Sequence, residues 1–281
     1  VIALTLPTPR RLGYRFGALG VVALAVILFW AVIALVGPWL TPYPPGEIVD
    51  FDYFGPISGQ FWLGTDYLGR DVLSRILAGT RYTVGISLAA VVLACASGVV
   101  LGMTAAVIGG RLDTVLSRLL DALNSIPSKL FGLVVVAGLG SSIPVLIGTL
   151  AVIYTPGAYR FARALAVNVN TMDFVAVARA RGERTPYLIG RELLPNILGP
   201  VLADLGLRFV FIVLLLSALS FLGLGVQPPD ADWGSLVREN IGGLPFGAPA
   251  VLMPSLAIAS LTISVNLLID NLPIKIRDRS A

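Results

Sequence analysis

From Gly17 to Leu40 the chain reads GALGVVALAVILFWAVIALVGPWL, 24 residues without one charged side chain. A helix needs about 20 apolar residues to cross the roughly 30 Å hydrocarbon core of a bilayer, and this run has them. It is too long for the apolar core of a cleavable signal and reads as a membrane anchor. Five further runs have the same character: about Thr83–Ile108, Leu119–Leu139, Ile143–Tyr159, Ile197–Leu224 and Ala248–Leu268. Pro127, Pro144 and Pro156 interrupt the third and fourth spans, which is tolerated where neighbouring helices or a cavity satisfy the freed backbone groups. The expected fold is all-α, a polytopic membrane protein with six transmembrane helices. Of its 281 residues only 13% are charged, against about 25% in a soluble domain.

Several function classes fall away. The chain has no histidine, so the commonest metal ligand and the usual general base are missing. Its one cysteine, Cys95, lies in an apolar run, which leaves no disulfide framework and no expected metal site. No G-x-x-x-x-G-K-[ST] occurs, so the chain has no P-loop and is expected to bind no nucleotide cofactor itself. All basic residues but Lys129 and Arg208 fall outside the expected spans, in membrane-flanking segments, which argues against nucleic acid as a partner. The chain reads as a non-enzyme.

Orientation follows from the basic residues, which accumulate on the cytoplasmic side. With six spans both termini share a side. Arg10, Arg11 and Arg15 precede span one, and Lys275, Arg277 and Arg279 follow span six. Arg111 and Arg118 lie between spans two and three. Arg160, Arg163, Arg179, Arg181, Arg184 and Arg191 lie between spans four and five. These make 14 of the 20 basic residues, and their side is expected to be cytoplasmic. The opposite side receives the acidic, proline-rich TPYPPGEIVDFDYFGP and the loop QPPDADWGSLVREN.

One segment is out of keeping with its surroundings. DFVAVARARGERTPYLIGRELLPN, Asp173–Asn196, carries four arginines and two glutamates in 24 residues. Asp173 is expected to cap a short helix that Gly182 ends, with Phe174, Val177, Ala178 and Arg181 on one face. Thr185 followed by Pro186 starts a second helix, and Pro195 marks the entry to span five. With an arginine costing roughly 2.5–3.5 kcal/mol at the bilayer centre, this elbow lies outside the hydrocarbon. The apolar face has nothing in its own loop to cover it, so it is expected to dock on a partner protein or the lipid surface. The plainer alternative is a basic loop obeying the orientation rule.

Other polar residues have two readings each. Asp204 and Arg208, four apart inside span five, are a structural ion pair or line a watery path. Lys129, at the proline-broken entry to span three, snorkels to the surface or lines a cavity. Ser217 and Ser220 pack across helices or touch substrate. Gly98-x-x-x-Gly102 offers a close-packing face in span two. On the outer side Asp66, Arg70, Asp71 and Arg75 have the spacing of an interfacial amphipathic helix. They, with Asp230, Asp232 and Trp233, form a landing surface for another protein or a merely solvated loop.

The elbow resembles the EAA loop in membrane subunits of ABC importers: Glu-Ala-Ala, three residues, Gly, then nine residues to Ile-x-Leu-Pro. Here it reads Ala176-Val177-Ala178, Gly182, then Glu192-Leu193-Leu194-Pro195, with Ala176 in place of the glutamate and Glu192 in place of an apolar residue. LGTDYLGRDVLSRILAGTRYTVGISL (Leu63–Leu88), LDTVLSRLLDALNSIPS (Leu112–Ser128) and ALSFLGLGVQPPDADWGSL (Ala218–Leu236) are similar to the C-type permease of dipeptide, oligopeptide and nickel importers. Leu216 stands where that family often has an acid, and the tail NLLIDNLPIKIRDRSA departs from its usual ending.

The resemblance implies a type I ABC importer permease fold in the inner membrane of a bacterium or archaeon. Residues 1–82 would form an N-terminal tail, first helix and outer segment, and 83–281 a five-helix core with a coupling loop at 173–195. It implies a second permease, two ATP-binding subunits that hold ATP and Mg, and an extracytoplasmic substrate-binding protein. The ATPase contact would fall on Asp173, Phe174, Ala176, Val177, Ala178, Arg181, Gly182 and Glu183. Peptides are the implied cargo, with nickel or another small solute as an alternative. An ion-coupled secondary transporter is the reading from a different class.

Overall fold

The structure, a computed structural model, describes residues 17–271. Arg10, Arg11, Arg15, Lys275, Arg277 and Arg279 lie outside the described residues. The elements in order are α1 (Ala18–Leu40), α2 (Val72–Ile108), α3 (Gly110–Asn124), α4 (Ser128–Leu139), α5 (Ile143–Asn170) and α6 (Asp173–Ala180). There follow α7 (Thr185–Tyr187), a π-helical stretch Leu188–Leu193, α8 (Leu194–Phe221), α9 (Trp233–Glu239), a 3-10 segment Ile241–Phe246 and α10 (Pro249–Asp270).

Among the described residues five helices are long and apolar enough to cross a membrane, or six if the bent pair α3 and α4 counts as one span. That pair turns by 83°. Pro127 stands at the break, immediately before α4. Pro156, by contrast, is accommodated inside α5, and Pro144 fills the first turn of that helix, where its missing N–H costs nothing. α5 runs on to Asn170, well beyond the expected end at Tyr159.

α2 begins 11 residues before the expected Thr83, because Asp71 caps it: its carboxylate accepts from the Ser74 amide at 2.8 Å and the Ser74 hydroxyl at 2.6 Å. The expected division at residue 82 therefore falls inside a continuous helix, and the outer segment is fastened to the core. With 37 residues, α2 is about 56 Å long.

α2 and α5 form the closest pair. A Cβ on Gly98 would come within 2.6 Å of the Ala158 Cβ, and one on Gly102 within 2.7 Å of the Tyr159 carbonyl oxygen. The Gly98–Gly102 spacing is thus a backbone-to-backbone contact with α5, the use small residues have in membrane bundles. α1 lies mainly against α2 and α10. Its Trp30 donates to Ser260 Oγ at 2.9 Å and meets the fully buried Trp233 edge to face at 4.7 Å. At the far end of α2, Gly109 and Gly110 both have positive φ, a conformation L side chains resist, and turn the chain sharply into α3.

Candidate coupling site and polar clusters of the bundle

The elbow is built largely as its punctuation requires, with one change of phase. Met172, not Asp173, takes the N-cap position, and Asp173 stands in the first turn of α6, where its charge still faces the positive helix end. At the other end Gly182 has φ +81°; its N–H donates to Arg179 O at 2.9 Å and that of Glu183 to Ala178 O at 3.2 Å. These two bonds are a Schellman motif, and the left-handed residue it needs is the glycine.

α6 does have something to pack on. Val175 and Ala178 are fully buried with Val99, Met103 and Val107 of α2, with Leu188 and Leu193 of the elbow's own second half, and with Ile197 just beyond it. Ala178 thus leaves the outward face assigned to it, and Val175 joins it inside. Asp173, Ala176, Val177, Arg181 and Gly182 stay exposed, and Phe174 and Glu183 are half-buried. The second elbow helix is a single turn that passes through the π-helical stretch into α8, so Thr185–Phe221 is one helical rod of 37 residues.

Inside span five Arg208 Nε donates to Asp204 Oδ2 at 2.6 Å and its Nη2 to Asp204 Oδ1 at 3.0 Å, a two-pronged pair. The guanidinium lies against Gly157 of α5, where a side chain would collide with it. Ser217 borders an open apolar groove of about 510 Å³ between α8, α9 and α10, also lined by Leu214, Phe221, Val237 and Thr262. Its hydroxyl is buried without a partner among the described residues. Ser220 does not border this groove: it is fully buried and donates to Asp232 Oδ2 at 2.8 Å, which removes it from any path. Lys129 is exposed in the first turn of α4, beside a crease of about 230 Å³ at the α3–α4 bend.

The outer charges are not the landing surface their spacing suggested. Asp66, Arg70 and Asp71 are buried, as is Arg75. Residues 66–70 form a turn, and α2 starts only at Val72. Arg75 pairs with Asp66 Oδ2 and Glu239 Oε2, both at 2.8 Å. Arg70 reaches the same two carboxylates, again at 2.8 Å each. Burial works against the charge on Arg70, but Asp66 and Glu239 outweigh it and hold its pKa above the ordinary value.

Asp232 and Trp233 are likewise fully buried. The Asp232 carboxylate caps α9 and takes five bonds, from Ser220 Oγ, Val226 N, Gly234 N, Ser235 N and Ser235 Oγ. Burial pushes its pKa above the usual carboxylate range while these donors pull it back. Of the seven residues in the proposed landing set and its helix, Asp230 alone is exposed.

Sequence reasoning did not single out Glu239, although two arginines converge on it, nor the pair Asp113–Arg163, which joins α3 to α5 at 2.5 Å. Nor did it single out Asn170, which binds the end of α2. None of these partners is near in sequence, so no local pattern announces them.

An all-helical bundle of five or six spans, with a capped elbow between two of them, defines a multi-pass membrane protein. Residues 98–278 match the family described as binding-protein-dependent transport system inner membrane component, and the chain belongs to that family. Among its relatives is the dipeptide transport system permease protein DppC of Haemophilus influenzae, 34% identical over 257 residues, 89% of this chain and 87% of the relative. The di/tripeptide transport system permease protein DppC of Pseudomonas aeruginosa is 33% identical over 279 residues, covering 96% and 92%. The glutathione transport system permease protein GsiD of Pectobacterium atrosepticum is 32% identical over 254 residues, covering 90% and 82%.

Proposed function

We propose that this chain is one of two membrane subunits of an ABC importer for di- and oligopeptides, with α6 as the helix that receives motion from an ATPase subunit. The observation that carries the reading is the construction of the elbow. α6 is welded on its Val175–Ala178 side to the root of α8 and presents Ala176, Val177 and Arg181 outward. A push on that face is delivered to a rod that crosses the membrane, and the closing of a partner then shifts the balance between two bundle conformations.

ATP and Mg belong to the partner subunits in this reading. The elbow and both termini face the cytoplasm, on the strength of the basic residues around them. The groove beside Ser217 and the Asp204–Arg208 pair are the candidate path residues, and Lys129 stands apart from that groove, beside the crease at the α3–α4 bend. Contact with a substrate-binding protein passes to exposed groups on the outer side: Asp230, Tyr53, Trp62 and Phe246. Relatives named for dipeptides, di/tripeptides and glutathione favour peptide cargo over nickel. Membership of a binding-protein-dependent family stands against a self-sufficient ion-coupled transporter.

The test is purification of the tagged chain from its native membrane in mild detergent, beside a Val177→Asp/Arg181→Glu variant. Wild type should bring down a second permease and an ATPase, and the variant only the permease. Recovery of no ATPase with the wild type, even after crosslinking, would sink the proposal.

A further inference from the structure

We infer that Arg179 is a positioning residue: with Asn170 it fastens α6 to the end of α2, so that movement of the elbow enters α2 as well as α8. This rests on the coupling role proposed for α6.

The last carbonyls of a helix have no partner within it and carry the negative end of the helix dipole. α2 ends at Ile108, and its Ala105 carbonyl is taken by the Gly109 amide at 2.8 Å. The next two are taken by side chains from other elements. Asn170 Nδ2, at the end of α5, donates to Ala106 O at 3.0 Å. Arg179 Nη2, on α6, donates to Val107 O at 3.3 Å and to Asn170 Oδ1 at 2.8 Å. One guanidinium and one amide thus tie three helices together at a point where α2 offers acceptors and a favourable potential for a cation. Underneath, Val107, Val169 and Val175, one from each of the same helices, share a buried cluster. The polar bonds fix the orientation of a contact that apolar packing alone leaves free to slide.

Arg179 is exposed, so the competing role is direct contact with the ATPase. The two roles separate in a double-mutant cycle. The whole importer, reconstituted in vesicles, is assayed for peptide transported per ATP hydrolysed in wild type, Arg179→Ala, Asn170→Ala and the double variant. Each single change should lower that ratio by about fivefold or more, the lower end of ordinary coupling effects, and the double variant should be no worse than the poorer single one. ATPase recovery with the complex should not change. A second readout is a spin label on the exposed Ile108→Cys: its response to nucleotide should be lost in Arg179→Ala.

Multiplying effects, or loss of the ATPase in Arg179→Ala only, would assign the residue to the partner contact and overturn the inference. So would a normal ratio in Asn170→Ala with an intact complex. Absence of ATPase from the wild-type complex is a different result and fails the coupling role itself.

Discussion

At the α9 end of the bundle Asp66, Arg70, Arg75 and Glu239 are turned inward and bonded to one another, whereas at the α6 end Arg181, Arg184 and Arg191 are turned to solvent. Both regions are polar islands on a greasy chain, and in sequence they look alike. Removing an ion from water costs several kcal/mol, which only well-formed pairs offset. The inward cluster is therefore tolerable in one geometry and holds the segment before α2 against α9. The elbow bears no such constraint, since its outward arginines keep their hydration. Its shape comes from backbone bonds at Gly182 and from a small apolar footing. One end is built to stay as it is, and the other to be taken hold of.

Breaking the inward cluster should have the largest effect. Arg75→Ala leaves Asp66 and Glu239 to share Arg70, with one negative charge uncompensated, and should lower stability by about 3–5 kcal/mol, the usual result of removing one member of a buried ion cluster. Thermal unfolding of the purified chain in detergent would show it as a large downward shift, and an unshifted midpoint would mean that the charges are hydrated after all. Ser220→Ala takes one of five donors from Asp232 and should cost about 1–3 kcal/mol in the same assay. At the elbow, Gly182→Ala forces a side chain into the left-handed region at about 1–2 kcal/mol. Hydrogen exchange should confine its effect to residues 173–184, and faster exchange in α9 would erase the contrast. The smallest change is expected for Arg160→Ala, whose pair with Asp121 is long at 3.6 Å and about half exposed on both sides. Such pairs contribute about 0–1 kcal/mol, so its unfolding midpoint should match wild type.

What the sequence shows of these regions depends on how local each interaction is. Gly182 and Pro186 act within a turn, and both the stop and the restart of the elbow were readable from them. Asp204 and Arg208 are four apart and do pair. Asp66, Arg70 and Arg75 have equally suggestive spacing, yet the residue that organises them, Glu239, is 164 positions beyond Arg75. An amphipathic spacing is the same whether its charges meet water or a distant carboxylate, so exposure was assigned to residues that are buried. The inward turn of Ala178 was missed for a smaller reason. Each residue advances a helix by about 100°, and in eight residues a face is defined by two or three side chains. The bend between α3 and α4 has a visible cause in Pro127, but its 83° angle depends on what the two pieces pack against.

The length of α2 has a consequence for the membrane itself. A rod of about 56 Å in a hydrocarbon layer of about 30 Å cannot adjust to a thicker or thinner bilayer by stretching, and mismatch is met by tilt. One end of this rod belongs to the buried charge cluster through Arg75, and the other receives Asn170 and Arg179. Tilting it displaces both attachments together, in opposite directions about the midplane. A tilt of α2, whatever causes it, therefore reaches the charge cluster and the elbow together.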